Sequence, residues 1–492
     1  MLVKRRDVIK VAIAAPFVAT ARAYEPPMDY SRLTASEAAL AIRKGGISAE
    51  NYVDGLIEQD RKWATLNAFI SRDHDALREA ARAADKVRAS GAALGPLHGV
   101  PLVFKDNIAT AALPTTAGTA ALRDYRPAEN AVVAQKLFDA GALLYGKNNM
   151  HELAVGITTN NLTFGPARNP YNQAMIPGGS SGGTGAAIAA RVAPAGLGTD
   201  TGGSVRIPAS LCGTTGLRPT TGRYSGDGIV PFHSGTAIAG PMARTVEDLA
   251  LLDGIITGET ALPEVHAGQI RIGVPEEFFY EDIDDEVARV MEDALEVLHE
   301  AGVVLVHQSI SRLKDLLAVG RGAPDSSETV QGYEKFFSNS NIGAEPFVKK
   351  VADPVLRARL NRQLLTDENA VAASGPSTFA VRERYKDLLG DYFESNNLNA
   401  MIIPPTPLPA RPIGQDDTVE LNGRQVSTFQ TYVRNTAIGS AAALPGVVIP
   451  AGMTSDGLPL GIEIDGPSGS DRKLLAIAAA IESILPGLSG PA

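Results

Sequence analysis

Cysteine is nearly absent from this chain: Cys212 is the only one among 492 residues. A single cysteine cannot form a disulfide within the chain, and it cannot build a cysteine-based metal site. We expect Cys212 to be buried as a small apolar residue, with a nucleophilic thiol as the alternative. The sequence therefore excludes a fold that is stabilised by internal disulfides.

Basic residues are in the minority, and metal motifs are lacking. The chain has 45 Lys and Arg against 55 Asp and Glu, a net charge of -10, which argues against a nucleic acid partner. Beyond the N-terminal segment no apolar run is long enough to span a bilayer, so we expect no membrane partner for the mature chain. His151-Glu152 resembles the start of a zinc motif, but no second histidine lies four residues on. We therefore predict neither a metal nor a cofactor.

The first 23 residues have the features of an export signal. Lys4-Arg5-Arg6 is followed by an apolar stretch at 11–21 and by the small-x-small site Ala21-Arg22-Ala23. This pattern resembles a twin-arginine signal, which directs folded proteins out of the cytoplasm. We predict a signal peptide at 1–23 and a periplasmic protein. The alternative is a disordered basic tail or an uncleaved amphipathic anchor, which would leave a cytoplasmic protein.

Helical and strand patterns alternate along the rest of the chain. Apolar residues have helical spacing at 34–44, 48–60, 73–90, 129–140, 182–190, 284–301 and 472–485. Short apolar runs typical of buried strands lie at 100–104, 142–145, 193–198, 270–274, 303–306, 400–403, 447–450 and 460–463. The alternation predicts an α/β fold with a large mixed central β-sheet covered by helices on both faces. We expect a single domain over residues 24–492, with a helical insertion at about 313–398.

Two glycine-flanked serine clusters lie about two dozen residues apart. The second, Asp200-Thr-Gly-Gly-Ser204, places two glycines directly before a serine. Glycines let successive backbone N–H groups turn toward one point, which is how an oxyanion hole is built. The alternative for Ser204 alone is a glycine-rich turn in which the serine caps the backbone.

The first cluster, Pro177-Gly-Gly-Ser-Ser-Gly-Gly-Thr184, is centred on Ser180. It has neither the Gly-Lys-Ser/Thr ending of a phosphate-binding loop nor the Gly-x-Ser-x-Gly spacing of an α/β-hydrolase. It could form a flexible loop or an anion-binding nest at the start of a helix. A serine here could also relay a proton between a lysine and a second serine.

Lys105 is the candidate base, because no histidine stands in either serine cluster. It follows an apolar strand directly, and withdrawal from water lowers the pKa of a lysine toward neutrality. The alternative is a structural salt bridge with Asp106 or another carboxylate. Taken together, Lys105, Ser180 and Ser204 indicate a serine hydrolase that uses a lysine base.

These three segments resemble the amidase signature family, from about residue 34 to 485 and most densely from 98 to 258. The resemblance implies that Ser204 is the nucleophile, that Ser180 is the bridging serine beside a cis peptide, and that Lys105 is the base. It also implies an acyl-enzyme intermediate. The oxyanion hole would be formed by backbone amides, those of Thr201, Gly202, Gly203 and Ser204. Leu153 matches a family segment that lines the acyl site, with simple packing as its alternative.

Within the family, Lys147-Asn-Asn-Met-His-Glu-Leu153 and Arg218-Pro-Thr-Thr-Gly-Arg-Tyr224 are most similar to enzymes that hydrolyse mandelamide and indoleacetamide. This implies a small-molecule substrate, a primary amide with an aryl-acetyl-like acid part. Aryl anilides, carbamates and esters stay open, because the same acyl-enzyme chemistry cleaves them. Two further alternatives are the amidase subunit of a tRNA-dependent amidotransferase, against which the export signal argues, and a non-catalytic binding protein. The sequence does not indicate the oligomeric state.

Overall fold

An eleven-stranded mixed β-sheet runs through the part of the chain that the computed structural model describes, which is residues 29–230, 238–320, 326–366 and 378–491. The strand order is β1-β3-β2-β6-β8-β7-β14-β15-β11-β9-β10, and two small two-stranded sheets, β12-β13 and β4-β5, lie outside it. The strands are β1 Phe69–Arg72, β2 Pro101–Lys105, β3 Leu143–Asn148, β4 Asn160–Asn161, β5 Gly165–Pro166, β6 Ala195–Asp200, β7 Thr215–Arg218, β8 Ile238–Ala243, β9 Arg271–Val274, β10 Val304–His307, β11 Ala400–Ile403, β12 Thr418–Leu421, β13 Arg424–Ser427, β14 Gly446–Met453 and β15 Pro459–Asp465.

Seventeen α-helices surround the sheets in the same described residues. They are α1 Ala35–Arg43, α2 Ala49–Lys62, α3 His74–Ala89, α4 Val132–Asp139, α5 Gly182–Ala189, α6 Arg206–Leu211, α7 Val246–Thr257, α8 Glu276–Phe279, α9 Asp285–Glu300, α10 Leu313–Val319, α11 Ser326–Ser340, α12 Ala344–Lys349, α13 Pro354–Leu365, α14 Thr378–Ser395, α15 Thr428–Tyr432, α16 Thr436–Ala441 and α17 Asp471–Glu482. The predicted signal at 1–23 lies outside the described residues and stays a prediction.

Side-chain caps explain where several helices begin. The Thr34 hydroxyl accepts the N–H of Glu37, and the Glu37 carboxylate accepts the N–H of Thr34, which forms a complete capping box before α1. Ser48 caps α2, and Asp73 caps α3, each with a side-chain oxygen that accepts an N–H of the first turn. Such caps satisfy backbone donors that a helix leaves free, so these polar residues fix the helix starts.

The sheet combines parallel and antiparallel pairs, as the sequence predicts. Strand β2 pairs parallel with β3 on one side and with β6 on the other, whereas β6, β8, β7, β14, β15 and β11 pair antiparallel in turn. Alternate side chains of β15 point to opposite faces: Glu463 contacts α6, while Ile462 and Ile464 join the main apolar core. The predicted α/β class with a large mixed sheet between helices is therefore confirmed.

Between Leu313 and Ser395 the described residues form five helices, α10 to α14, and no strand. Aromatic side chains of α11 and α12 build an apolar cluster there: Tyr333, Phe336 and Phe347 are buried and pack against one another. This is the stretch where the sequence predicts a helical insertion. Its status as an insertion within a single domain over 24–492 stays a prediction.

Candidate active site

The carboxyl ends of two neighbouring parallel strands bring the candidate residues together. Strand β2 ends at Lys105, and strand β6 ends at Asp200, immediately before the second serine cluster. The two strands pair in parallel, with Phe104 opposite Leu197. Since parallel strands end at the same edge of a sheet, this edge of the sheet is where α/β folds place their binding sites.

Lys105 has no exposed surface, and its amine faces the first serine cluster. The Nζ atom donates to the Ser180 Oγ at 2.7 Å and to the Thr199 Oγ1 at 2.8 Å. Burial lowers the pKa of Lys105 from 10.5 to about 7, although the nearby charge of Asp200 opposes this shift. A substantial fraction of the amine is therefore neutral at physiological pH.

The alternative role for Lys105, a salt bridge with Asp106, is wrong. The Asp106 Oδ1 lies 3.4 Å from the Nζ of Lys147, a second fully buried lysine. Burial raises the pKa of Asp106 and lowers that of Lys147 to about 8, and each shift is opposed by the charge of the other residue. Lys147 takes this carboxylate, and Lys105 contacts the hydroxyls of Ser180 and Thr199 and, at 3.4 Å, the Thr199 carbonyl oxygen.

Hydrogen bonds hold the first serine cluster to the second cluster, to strand β6 and to His151. The Ser181 N–H donates to the Ser204 carbonyl oxygen at 3.2 Å, and the Ser181 hydroxyl donates to the Thr199 carbonyl oxygen at 3.2 Å. The Ser180 carbonyl oxygen accepts the N–H of His151 at 3.2 Å. The peptide bond between Gly179 and Ser180 is cis, as the family resemblance implies.

Ser204 lies on the turn between β6 and α6 and is partly exposed. Within the described residues its hydroxyl makes no hydrogen bond, whereas the Ser180 hydroxyl is bound by Lys105. The structure therefore brings Lys105 and Ser180 into contact. Ser204 is connected to them by the hydrogen bond between its carbonyl oxygen and the N–H of Ser181, the residue after Ser180. An accessible hydroxyl without a partner is suited to attack on a bound molecule.

The backbone amides before Ser204 are not all equivalent. The N–H of Gly203 donates to the Asp200 Oδ1 at 2.7 Å. The N–H groups of Thr201, Gly202 and Ser204 have no hydrogen-bond partner in residues 29–230, 238–320, 326–366 and 378–491. Among the described residues, three of the four predicted oxyanion-hole amides are thus available, and that of Gly203 is engaged by a carboxylate.

Asp200 and Arg206 form a buried ion pair beneath the Ser204 turn. The Arg206 Nε lies 3.1 Å from the Asp200 Oδ2, and its Nη1 lies 2.5 Å from the Glu463 Oε1. Burial alone would raise the pKa of Asp200, but the charges of Arg206 and Arg218 and the backbone N–H of Val205 lower it to about 2. The carboxylate under the Ser204 turn is therefore charged at any physiological pH.

Leu153 is fully buried and takes part in the aromatic cluster with Tyr333 and Phe347. Its φ of 52° is unusual for a leucine, and its N–H donates to the Ala117 carbonyl oxygen at 2.8 Å. The contacts seen are those of a packing residue. Its role in lining the acyl site stays a prediction.

Two functional neighbours were missed by sequence reasoning. The Thr199 Oγ1 accepts both the Lys105 amine and the Nδ2 of Asn107, the latter at 3.2 Å. Asn107 follows Lys105 by two residues, so its proximity was foreseeable. Thr199 lies 94 residues from Lys105, and only the parallel pairing of β2 and β6 brings it there.

Cys212 is buried as predicted, and burial raises the pKa of its thiol.

The described residues contain no group of three or more His, Cys, Asp or Glu placed to hold a metal ion. Across these same residues, no helix combines the length and the apolar character that crossing a membrane requires.

Comparison with known proteins assigns the family. A family model described as Amidase matches residues 58–475, which is most of the chain. The chain belongs to the amidase family. Indoleacetamide hydrolase of Agrobacterium vitis is 41% identical over 455 residues, which cover 92% of this chain and 96% of that protein. Mandelamide hydrolase of Pseudomonas putida is 36% identical, with 94% of each chain covered.

A solved structure described as an amidase has a TM-score of 0.82 at 31% identity, and the match covers 92% of this chain and all of that one. The amidase signature fold and the family resemblance are therefore both confirmed. As a member of the amidase family, the chain is an enzyme that acts on carbon–nitrogen bonds of amides.

Proposed function

We propose that the chain hydrolyses amides through an acyl-enzyme on Ser204, with Ser180 and Lys105 as proton relay. Neutral Lys105 takes the proton of the Ser180 hydroxyl, which takes the proton of Ser204 as the Ser204 Oγ attacks the amide carbon. The relay then returns the proton to the leaving nitrogen, which departs as ammonia or an amine. Water attacks the resulting ester, and the free acid leaves.

The negative charge on the attacked oxygen needs donors that are in place before the reaction. The N–H groups of Thr201, Gly202 and Ser204 have no partner among the residues that the structure describes, and they belong to the loop that carries the nucleophile. Fixed donors of this kind stabilise the developing charge at little reorganisation cost. We assign the oxyanion hole to these three amides, and we give Gly203 a supporting role through Asp200.

For the substrate we propose a primary amide of a small aryl-acetic acid. Relatives at 41% and 36% identity are named for indoleacetamide and mandelamide, and both names denote such amides. Leu153, in the buried apolar cluster, lies two residues after His151, whose N–H donates to the Ser180 carbonyl oxygen, so apolar side chains pack close to the candidate site. We further propose, from the sequence at 1–23, that the enzyme is exported to the periplasm.

The hydrogen bond of 2.7 Å between the buried Lys105 amine and the Ser180 hydroxyl carries the mechanistic proposal. The test is ammonia release from a panel of aryl-acetamides and aliphatic amides, together with the intact mass of the enzyme during turnover. We expect aryl-acetamides to be preferred and a mass increase equal to one acyl group.

The Ser204→Ala variant should release no ammonia and show no acyl adduct. Ser210→Ala is the matched control, since Ser210 lies on α6, directly after the Ser204 turn, and its Oγ accepts the N–H of Gly461. Turnover that persists in Ser204→Ala would refute the assignment of the nucleophile. Absence of release from every primary amide would redirect the assay to anilides, carbamates and esters, or to an enzyme that needs a partner.

A further inference from the structure

The peptide unit between Gly202 and Gly203 is held at both of its polar ends. The Gly202 carbonyl oxygen accepts the hydroxyl of Thr436 at 2.6 Å. The Gly203 N–H donates to the Asp200 Oδ1 at 2.7 Å. With its oxygen and its N–H both bound, the plane of this peptide has a single orientation.

Arg206 closes these contacts into a ring. Its Nη2 donates to the Asp200 Oδ1 at 3.0 Å, and its Nη1 donates to the Thr436 carbonyl oxygen at 3.0 Å. Asp200, Arg206 and Thr436 have no exposed surface. Hydrogen bonds in such a dry, connected network strengthen one another, and a buried partner left unpaired is costly.

The Thr436 hydroxyl also touches the loop sterically. Gly203 has a φ of 132°, and a Cβ atom built on it would overlap the Thr436 Oγ1 and crowd Ile207. The threonine side chain therefore rests directly on the backbone of Gly203, with no space between them for a water molecule. Glycine at this position is explained by that close approach as well as by its backbone angle.

We propose that Thr436 is a positioning residue for the oxyanion loop, an inference that rests on the proposed function. Thr436 is the first residue of α16 and lies 234 residues from Gly202 in the sequence. By holding the Gly202 oxygen, it sets the direction in which the neighbouring N–H groups of Gly202 and Ser204 point. Stabilisation of an oxyanion depends steeply on that direction, so loss of the hydroxyl reduces transition-state binding more than substrate binding.

Thr436→Val tests this proposal, because valine has nearly the shape of threonine and replaces the hydroxyl with a methyl group that cannot donate to the Gly202 oxygen. We expect kcat on the preferred amide to fall about tenfold or more, with KM within about twofold of wild type. Thr436→Ser, which restores a hydroxyl, should recover kcat to within about threefold. Thr406→Val is the matched control, since Thr406 is equally buried and its hydroxyl donates to the Leu408 carbonyl oxygen outside the ring.

A second measurement separates positioning from a general loss of structure. An aryl-acetaldehyde, which forms a tetrahedral adduct with the nucleophile, should bind Thr436→Val less tightly in proportion to the fall in kcat/KM. Binding of the acid product should be unchanged. A kcat equal to that of wild type, or an equal loss in Thr406→Val, would overturn the proposal. If the valine variant does not fold, Thr436→Ala takes its place in the same comparison.

The result can be distinguished from a failure of the proposed function. If wild-type enzyme hydrolyses no amide, the proposed function fails. The effect of Thr436 on the loop is then measured as the rate of hydrogen exchange of the backbone amides at 200–206. Thr436→Val should speed exchange of this segment relative to Thr406→Val. Equal exchange rates in the two variants would contradict the positioning role without reference to any substrate.

Discussion

Burial and a nearby carboxylate shift the pKa of Lys105 in opposite directions. Burial disfavours the charged form, and Asp200 favours it, yet the pKa still falls to about 7. Burial is the larger of the two effects, so the pKa falls although Asp200 opposes the shift. Asp200 also pairs with Arg206 and Arg218, at 3.0 and 3.6 Å.

The pH dependence of catalysis follows from this lowered pKa. Because the neutral amine is the active form, kcat/KM should rise with pH through an apparent pKa near 7 and level off above it. Lys105→Ala should lower kcat/KM by about a thousandfold and remove the rising limb. The exposed Lys349→Gln is the control and should keep the wild-type profile. A wild-type profile that is flat from about pH 6 to 9 would show that Lys105 is not the titrating base.

At the scale of single elements, Glu152 joins the site loop to the helices at 313–395. Its carboxylate accepts the N–H of Ala352 at 3.0 Å and that of Asp353 at 2.9 Å, directly before α13. Glu152 is adjacent to His151, whose N–H holds the Ser180 carbonyl oxygen. The position of the helical segment is therefore coupled to that of the bridging serine.

Glu152→Gln should weaken this connection. The amide can replace only part of the carboxylate's acceptor capacity, so we expect the free energy of unfolding to fall by about 1–3 kcal/mol and kcat to fall with it. Urea unfolding and steady-state kinetics give the two quantities. Glu345→Gln is the control on α12, since Glu345 is exposed and pairs with the equally exposed Lys349, and it should change stability by less than about 0.5 kcal/mol. Equal behaviour of the two variants would contradict the coupling.

Elements with a regular apolar pattern could be predicted from the sequence to within a few residues. The run at 400–403 is strand β11, and the helical pattern at 34–44 is α1 with its Thr34 cap. Strands β7 and β8 escaped prediction for physical reasons. Strand β7 ends in Arg218, a buried residue whose Nη1 donates to the Leu444 carbonyl oxygen, 226 residues away in the sequence, and β8 contains Gly240 and Pro241.

In the candidate site, too, the residues in local motifs could be predicted, and the contacts that depend on tertiary packing could not. Lys105, Ser180 and Ser204 could be predicted because their motifs are local, and the structure joins the first two directly. The binding of the Gly203 N–H to Asp200 depends on how the turn folds back on its own strand. The contact with Thr436 depends on the packing of a helix from the far end of the chain, which no local pattern records.

Over the whole molecule, one apolar core extends from Ala35 near the start of the described residues to Leu485 near their end. Arg206 links the middle of the sequence to its C-terminal part: it contacts Asp200 at the end of β6 and Glu463 on β15. Both carboxyl groups are buried, so water has little access to these contacts. The middle and the C-terminal part of the sequence are therefore held together beneath the nucleophile turn.

Arg206→Lys tests whether the chain unfolds cooperatively when the contacts of Arg206 with Asp200 and Glu463 are weakened. A lysine cannot reproduce the forked contacts of the guanidinium, and breaking a buried pair should lower the free energy of unfolding by about 3 kcal/mol. Trp63, the only tryptophan, packs on the core after α2, so its fluorescence reports on the N-terminal part, whereas circular dichroism reports on all helices. If residues 24–492 form a single domain, both signals should shift to lower urea together in the variant, because two-state unfolding gives coincident transitions.

The control is Arg289→Lys at an exposed position, which should leave both unfolding midpoints unchanged. A Trp63 transition that stays unchanged while circular dichroism shifts would instead show that the N-terminal part unfolds on its own, and the Arg206 pairs would then stabilise only the half of the sheet around β15.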